Sequence, residues 1–241
     1  MSDDARPKPR LLREPGAYLR RQVRLKLNDA VRGLGLKVAD SVDMGSLRTA
    51  TGFRHVLDVG VARGTPDLYA RFPGAEIELF EPAPQFYPGL ETGVMRERSC
   101  RLHKFALGAT DGEAVLHLAG ATSASLLGTQ DKPGRTFPVI TVPVRRLDHV
   151  LRAADLDRPA LLKIDTEGYE LAVLQGAEAL LPAIDAVIVE VHLGKAYAYR
   201  PQQILDILAP HGFALVDVLD TEVRNRRVTC LDMVFERPRT G

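Results

Sequence analysis

The sequence predicts an α/β fold: a mostly parallel sheet with helices on both faces. Three observations predict it. Short apolar runs alternate with segments of helical period, the runs end in acids or glycines, and glycine or proline marks the junctions. Alternation of this kind builds a parallel sheet through crossover connections. In such a sheet, ligands bind beyond the carboxyl ends of the strands.

Composition bounds the function. The 241 residues suit one domain with an extension, or at most two small ones. A hydrophobic content of 45% with 26% charged residues is ordinary for a soluble globular chain. The formal charge of +1 argues against a nucleic-acid binder that works by bulk electrostatics. Cys100 and Cys230 are too few for a disulfide framework or a paired-cysteine metal site, so a cytoplasmic location is expected. The sequence has no apolar run of the roughly 18 residues that a membrane span needs. Its charged N-terminus lacks the apolar core of a signal peptide.

Charge is uneven along the chain. Residues 1–40 carry ten Lys/Arg against five Asp/Glu, which leaves the remainder at −4. Residues 1–16, with Pro7, Pro9 and Pro15, read as a loose tail. In residues 18–36, Leu19, Val23, Leu27, Ala30, Val31 and Leu34 share one helical face, and Arg20, Arg21, Arg24 and Arg32 occupy the rest. That stripe suits packing on the main domain or on a second copy of the chain. A peripheral membrane contact is the weaker alternative, because the stripe has no Trp or Phe. The expected division is a basic tail and helix over 1–45 and a catalytic domain over 46–241.

The elements follow in order. His55 to Val59 reads as a strand ending at Gly60, and residues 65–72 as a helix with Pro66 in its first turn. A second strand spans 77–81, a helix 87–98 and a third strand 101–107. Residues 114–118 and 139–144 are β-rich with no helix between them, which predicts an antiparallel excursion around a polar loop at 122–134. A helix over 147–154 leads to Leu161, Leu162 and Ile164, a buried strand interrupted by Lys163. Leu171, Leu174, Ala177 and Leu181 then recur at helical spacing until Pro182. Ala186–His192 is a strand and Pro201–Leu208 a helix; residues 213–219 and 228–235 close the chain as a hairpin around Arg224 to Arg227.

Two constellations carry chemistry. Asp58, Gly60 and Gly64 lie on a strand-to-helix turn, where glycine lets a ligand approach the backbone. Ala62 breaks the G-x-G-x-x-G spacing, which disfavours a dinucleotide. Glu81 ends the next strand 21 residues after Gly60, a position from which a carboxylate can accept hydrogen bonds from both ribose hydroxyls. Asp165 and Glu167 form the second constellation, on the turn after the Lys163 strand.

Taken together, Asp58-Val59-Gly60, Phe80-Glu81-Pro82, Ala106-Leu107-Gly108, Leu147-Asp148 and Lys163-Ile164-Asp165-Thr166-Glu167-Gly168 through Gly176-Ala177 resemble the FkbM-type S-adenosylmethionine-dependent methyltransferases. The resemblance covers residues 53–193 and is most specific at Lys163 to Gly168. It implies the class I methyltransferase (Rossmann-like) fold: a mostly parallel seven-stranded sheet with helices on both faces, an antiparallel terminal strand and an inserted β excursion. The implied activity is O-methylation of a sugar, glycan precursor or small secondary metabolite with S-adenosyl-L-methionine. Asp58, Gly60 and Gly64 would border the methionine end of the cofactor, Glu81 would take the ribose, and Ala106 and Leu107 would lie near the adenine.

Such a transfer needs a group that removes the acceptor proton. Asp165 is the first candidate, His192 the second and Glu167 the third. Each has a structural reading as well: orienting Lys163, closing a strand end, or favouring a helix N-terminus. Asp165, Glu190 and His192 could also converge as an oxygen-rich divalent site, but their spacing matches no recognised ligand set, so no metal is assigned. Acceptor contacts are expected from 122–134, from residues 194–199 with Tyr197 and Tyr199, and from the arginine turn. The rival readings are a non-catalytic nucleoside-binding scaffold and a nucleic-acid methyltransferase. The second lacks an Asn/Asp-Pro-Pro-aromatic segment and a Pro-Cys nucleophile.

Overall fold

The computed structural model describes residues 52–118, 124–126, 137–193 and 199–237. The basic segment 1–45, most of the 122–134 loop and Tyr197 lie outside the described residues. In chain order the elements are β1 (His55–Val59), α1 (Pro66–Arg71), β2 (Glu76–Phe80), α2 (Tyr87–Thr92), α3 (Val94–Glu97), β3 (Cys100–His103), β4 (Ala106–Leu107), β5 (Gly112–His117), β6 (Val139–Arg145), α4 (Leu147–Val150), β7 (Ala160–Ile164), α5 (Glu170–Gly176), β8 (Ala186–His192), α6 (Pro201–Leu208), β9 (Ala214–Arg224) and β10 (Arg227–Glu236).

Seven strands form one sheet in the order β3-β2-β1-β7-β8-β10-β9. β10 is antiparallel to both its neighbours, while the pairs from β3 to β8 are parallel. The strand order reverses between β1 and β7, which places a ligand crevice at their carboxyl ends. The excursion is a second sheet, β4-β6-β5, with β5 and β6 antiparallel as expected.

Alternation along the strands divides the core in two. Leu57, Val59, Leu162, Ile164, Val187 and Val189 pack against Val173 and Leu174 of α5 and Ile204 and Leu208 of α6. Val56, Leu79, Leu161, Ile188 and Val234 face the other way, with Leu68 and Tyr69 of α1 and Leu90 of α2. Covered on both faces, β1 and β7 are buried at every position.

The helix expected to run to Pro182 ends at Gly176, and four further boundaries differ from the sequence reading. The expected third strand over 101–107 is two strands. β3 stays on β2 as far as the Phe80–His103 pair, and Ala106 and Leu107 then join β6 in the second sheet. The peptide N–H of Glu81 donates to the His103 carbonyl and closes the first ladder there. The expected helix 87–98 breaks at Gly93, whose φ of −99° and ψ of −108° are not helical. The expected helix 147–154 stops at Val150, because Leu151 is extended, and a separate turn at Ala153–Asp155 follows. The terminal hairpin is longer than expected and closes on Asn225 and Arg226. Both have positive φ, as a two-residue type I′ turn requires.

Glycine is required where α5 crosses the second sheet. A Cβ on Gly176 would lie 2.0 Å from the Gly108 carbonyl oxygen, so the end of α5 touches the β4 turn directly. The Arg146 guanidinium braces the same junction, pairing with Asp148 and donating to the carbonyls of Ala109 and Gln175. Gly176→Ala is expected to destabilise the chain by about 1–3 kcal/mol through forced backbone separation. An unchanged urea midpoint would mean that the contact yields without cost.

Candidate active site

The first acid turn is built around a buried ion pair. Asp58 is 0% exposed and lies one residue before the end of β1, in register with Lys163 of β7. The Lys163 ammonium lies 3.2 Å from Asp58 Oδ1 and 3.3 Å from Asp165 Oδ2, bridging the two strand ends. Burial alone would lower the lysine pKa, but attraction to Asp58 and Asp165 outweighs it and holds the group above its ordinary value. Thr65 Oγ1 and the Tyr69 hydroxyl, both on the segment after the turn, donate to Asp58 Oδ2 at 2.9 and 2.5 Å. Burial and the Asp58 charge raise the Tyr69 phenol well above its usual pKa, so it remains a donor. Asp58 therefore acts by fixing the loop between β1 and α1.

The loop itself needs its glycines. Gly60 has φ +78° and Gly64 +94°, and a Cβ on Gly60 would fall 1.7 Å from the Asp165 carbonyl oxygen. Ala62 also has positive φ, +48°, and its amide donates to Glu81 Oε2 at 2.7 Å. The Ala83 amide donates to Glu81 Oε1, also at 2.7 Å. Glu81 thus ties the two turns together, and each oxygen keeps a second lone pair for a ligand hydroxyl. Burial pushes its carboxyl up to about 7, against the lowering effect of the two amides. Ala106 and Leu107 are buried at the β4 turn, next to Gly108.

The second acid turn hangs on a residue that sequence reasoning missed. Glu170, at the start of α5, is fully buried. Its Oε1 accepts from the Thr166 amide, the Thr166 hydroxyl and the Gly168 amide at 3.0, 3.0 and 2.8 Å. This holds the turn in which Glu167 has φ +56° and Gly168 +109°. Asp165 stands at the mouth of that turn with 30% of its side chain exposed. Glu167 is exposed, and its carbonyl accepts from Ser125. The sequence signal for Glu170 was its place two residues after Gly168, close enough to reach back to the turn amides.

His192 and Glu190 end β8 side by side, with Nε2 2.9 Å from Oε2. Their in-register partners across β10 are Cys230 and Asp232. Burial, then the charge of Asp165, pushes the Asp232 carboxyl up to about 7, and the same two causes raise Glu190 well above its ordinary range. Tyr199 does not offer a stacking face. It is buried against this cluster, and its hydroxyl accepts from the His192 amide at 3.2 Å.

The structure thus brings Asp58, Gly60, Gly64, Glu81 and Asp165 to one carboxyl edge, and sets His192 one strand farther along. Glu167 lies on the exposed rim. Among the described residues, no helix is long and apolar enough to cross a membrane.

Comparison with known proteins bears on the family and the fold. The profile of the methyltransferase FkbM domain matches residues 58–215. The 31-O-demethyl-FK506 methyltransferase FkbM of Streptomyces tacrolimicus is 30% identical over 197 residues, covering 67% of this chain and 73% of that protein. The hexuronic acid methyltransferase AglP of Haloferax volcanii is 38% identical over 47 residues, so the match spans only 20% of each. The crystal structure of methyltransferase FkbM from Methylobacillus flagellatus has the same fold, with a TM-score of 0.50 and 17% identity over 79% of this chain and 45% of that one. The profile match begins at Asp58 and runs through both acid turns, and the chain belongs to the FkbM methyltransferase family.

Proposed function

We propose that the chain transfers the methyl group of S-adenosyl-L-methionine to a hydroxyl of a sugar, glycan precursor or small secondary metabolite. The observation that carries the reading is the shared edge. Glu81, the Gly60 turn and Asp165 follow the ends of β2, β1 and β7, three adjacent strands. A nucleoside held by Glu81 and the Gly60 turn would direct its sulfonium toward Asp165. The activities of the FkbM and AglP relatives, one on an oxygen of FK506 and one on a sugar acid, support an oxygen acceptor. In the transfer, the acceptor oxygen forms a bond to the methyl carbon as the sulfur–carbon bond breaks, and Asp165 receives the hydroxyl proton. Holding oxygen, carbon and sulfur in line supplies much of the acceleration. The basic segment 1–45 is proposed as an appendage to this catalytic unit.

The test is transfer of labelled methyl groups from S-adenosyl-L-methionine to glycan and metabolite extracts. The expected result is label on an ether oxygen. Tight cofactor binding with no transfer to any extract would favour the scaffold reading.

Glu81 makes the cofactor assignment testable through pH. Its carboxyl, raised to about 7, is charged only above that pH, and the charged form is the better acceptor for ribose hydroxyls. Cofactor affinity is therefore expected to fall several-fold from pH 8 to pH 6, and Glu81→Gln should bind weakly with a flat profile. The apo fold moves the other way. A pKa raised by folding contributes stability below about 4.5 that is lost as pH rises through 7. Calorimetry showing equal affinity for wild type and Glu81→Ala would remove the ribose assignment.

A further inference from the structure

The face of the β8–β10 ladder carries four ligand-type side chains in register. Cys230 pairs with His192, and Asp232 pairs with Glu190. Residues two apart on a strand project to the same side, so the four occupy the corners of one patch. One ligand atom from each of Glu190, His192 and Cys230 lies within 4.8 Å of the other two. We propose that Glu190, His192 and Cys230, with Asp232 beside them, bind a divalent transition metal of the zinc class. The inference stands on these side chains alone and does not depend on the methyl-transfer reading.

Ligand chemistry selects the metal. A thiolate, an imidazole and a carboxylate make a mixed sulfur, nitrogen and oxygen set, which suits zinc or cobalt and not magnesium or calcium. The geometry is close to what such an ion needs. Ligand atoms around a tetrahedral zinc stand roughly 3.3–3.8 Å apart, given metal distances of about 2.0–2.3 Å. Contraction from 4.8 Å asks about one ångström of side-chain movement. His192 Nε2 and Glu190 Oε2, already 2.9 Å apart, share a position where one proton can be replaced by a metal ion. Binding would also release the Cys230 thiol proton, since the thiolate is the ligand.

The surroundings fit a site more closely than a packing accident. His192 and Cys230 are only 6% and 5% exposed, which shields an ion from water, and Glu190 keeps a partly open side. Lys163, the buried cation of this sheet edge, is engaged by Asp58 and Asp165 and does not pair with Glu190 in its place. A hydrophobic reading of Cys230 explains that residue but not the three polar partners around it on a buried face. Lys163 aligns with Ile188 across β7 and β8, so the patch stands next to the Asp165 turn.

Cobalt is the probe, because its spectrum reports the ligands. Untagged, full-length chain without cofactor or acceptor is titrated with Co²⁺ and followed by absorbance. The expected result is one ion per chain, with an intense near-ultraviolet thiolate-to-cobalt band and visible bands of tetrahedral type. Zinc should displace both. Cys230→Ser should abolish the near-ultraviolet band, and His192→Ala should weaken cobalt binding by at least tenfold. Cys100→Ser should leave the spectrum unchanged. Absence of a thiolate band in the folded wild type at saturating cobalt would overturn the proposal, and so would a band that survives Cys230→Ser. If Cys230→Ser fails to fold by circular dichroism, the wild-type spectrum with the His192→Ala and Cys100→Ser arms decides. Methyl transfer is never read in this experiment, so its failure and that of the methyltransferase reading remain separate.

Discussion

Lys163→Met is expected to destabilise the chain by about 3–5 kcal/mol, read from urea unfolding, because it breaks a buried ion pair on one side only. Methionine has nearly the same length, so the packing of the strand is kept and the loss is one of charge. The Lys163 side chain is 4% exposed and Asp58 0%, which leaves little water to solvate the carboxylate that remains. Thr65 and Tyr69 still donate to Asp58 Oδ2, but Oδ1 loses its cation at 3.2 Å. The double variant Lys163→Met with Asp58→Asn removes both charges and should recover a substantial part of the loss. A single variant within about 1 kcal/mol of wild type, or a double variant no better than the single, would rule out the ion pair as the brace between β1 and β7.

The parallel sheet, the antiparallel end and the excursion were legible because each rests on local signals: apolar runs, glycine turns and prolines. The same holds for Asp58, Gly60, Glu81 and Asp165, which follow directly from strand ends. What was not legible came from register between distant strands. Nothing near Cys230 in sequence reveals that it faces His192, so the residue looked like an isolated thiol. Lys163 read as an interruption of a strand, and only the β1–β7 pairing places it against Asp58. The role of Gly176 was equally hidden, since its requirement is the Gly108 carbonyl of another sheet. Tyr199 misled for a related reason. A tyrosine beside a loop suggests an exposed ring, yet packing turns it inward onto the His192 amide. The break of strand 101–107 likewise depends on Glu81 capping the His103 carbonyl, a contact between strands.

Asp165→Asn is expected to lower turnover by about 10²–10⁴-fold while cofactor affinity changes by no more than about threefold. The reasoning starts from the two oxygens of the carboxylate. Lys163 engages Oδ2 at 3.3 Å, which fixes the side chain and leaves Oδ1 for an acceptor hydroxyl at the 30% exposed mouth of the turn. Asparagine keeps the shape and can still accept from Lys163, but it cannot take a proton. A base role predicts a loss in kcat with the fold and the cofactor affinity preserved. A role limited to orienting Lys163 predicts a lower melting temperature with kcat preserved. His192 is a weaker competitor for the role because it is buried and paired with Glu190 at 2.9 Å, whereas Glu167 is exposed on a residue with φ +56° that the Glu170 clamp holds at the rim. If Asp165→Asn turns over at the wild-type rate, the proton passes to one of these two, and Glu167→Gln against His192→Gln under the same assay identifies which.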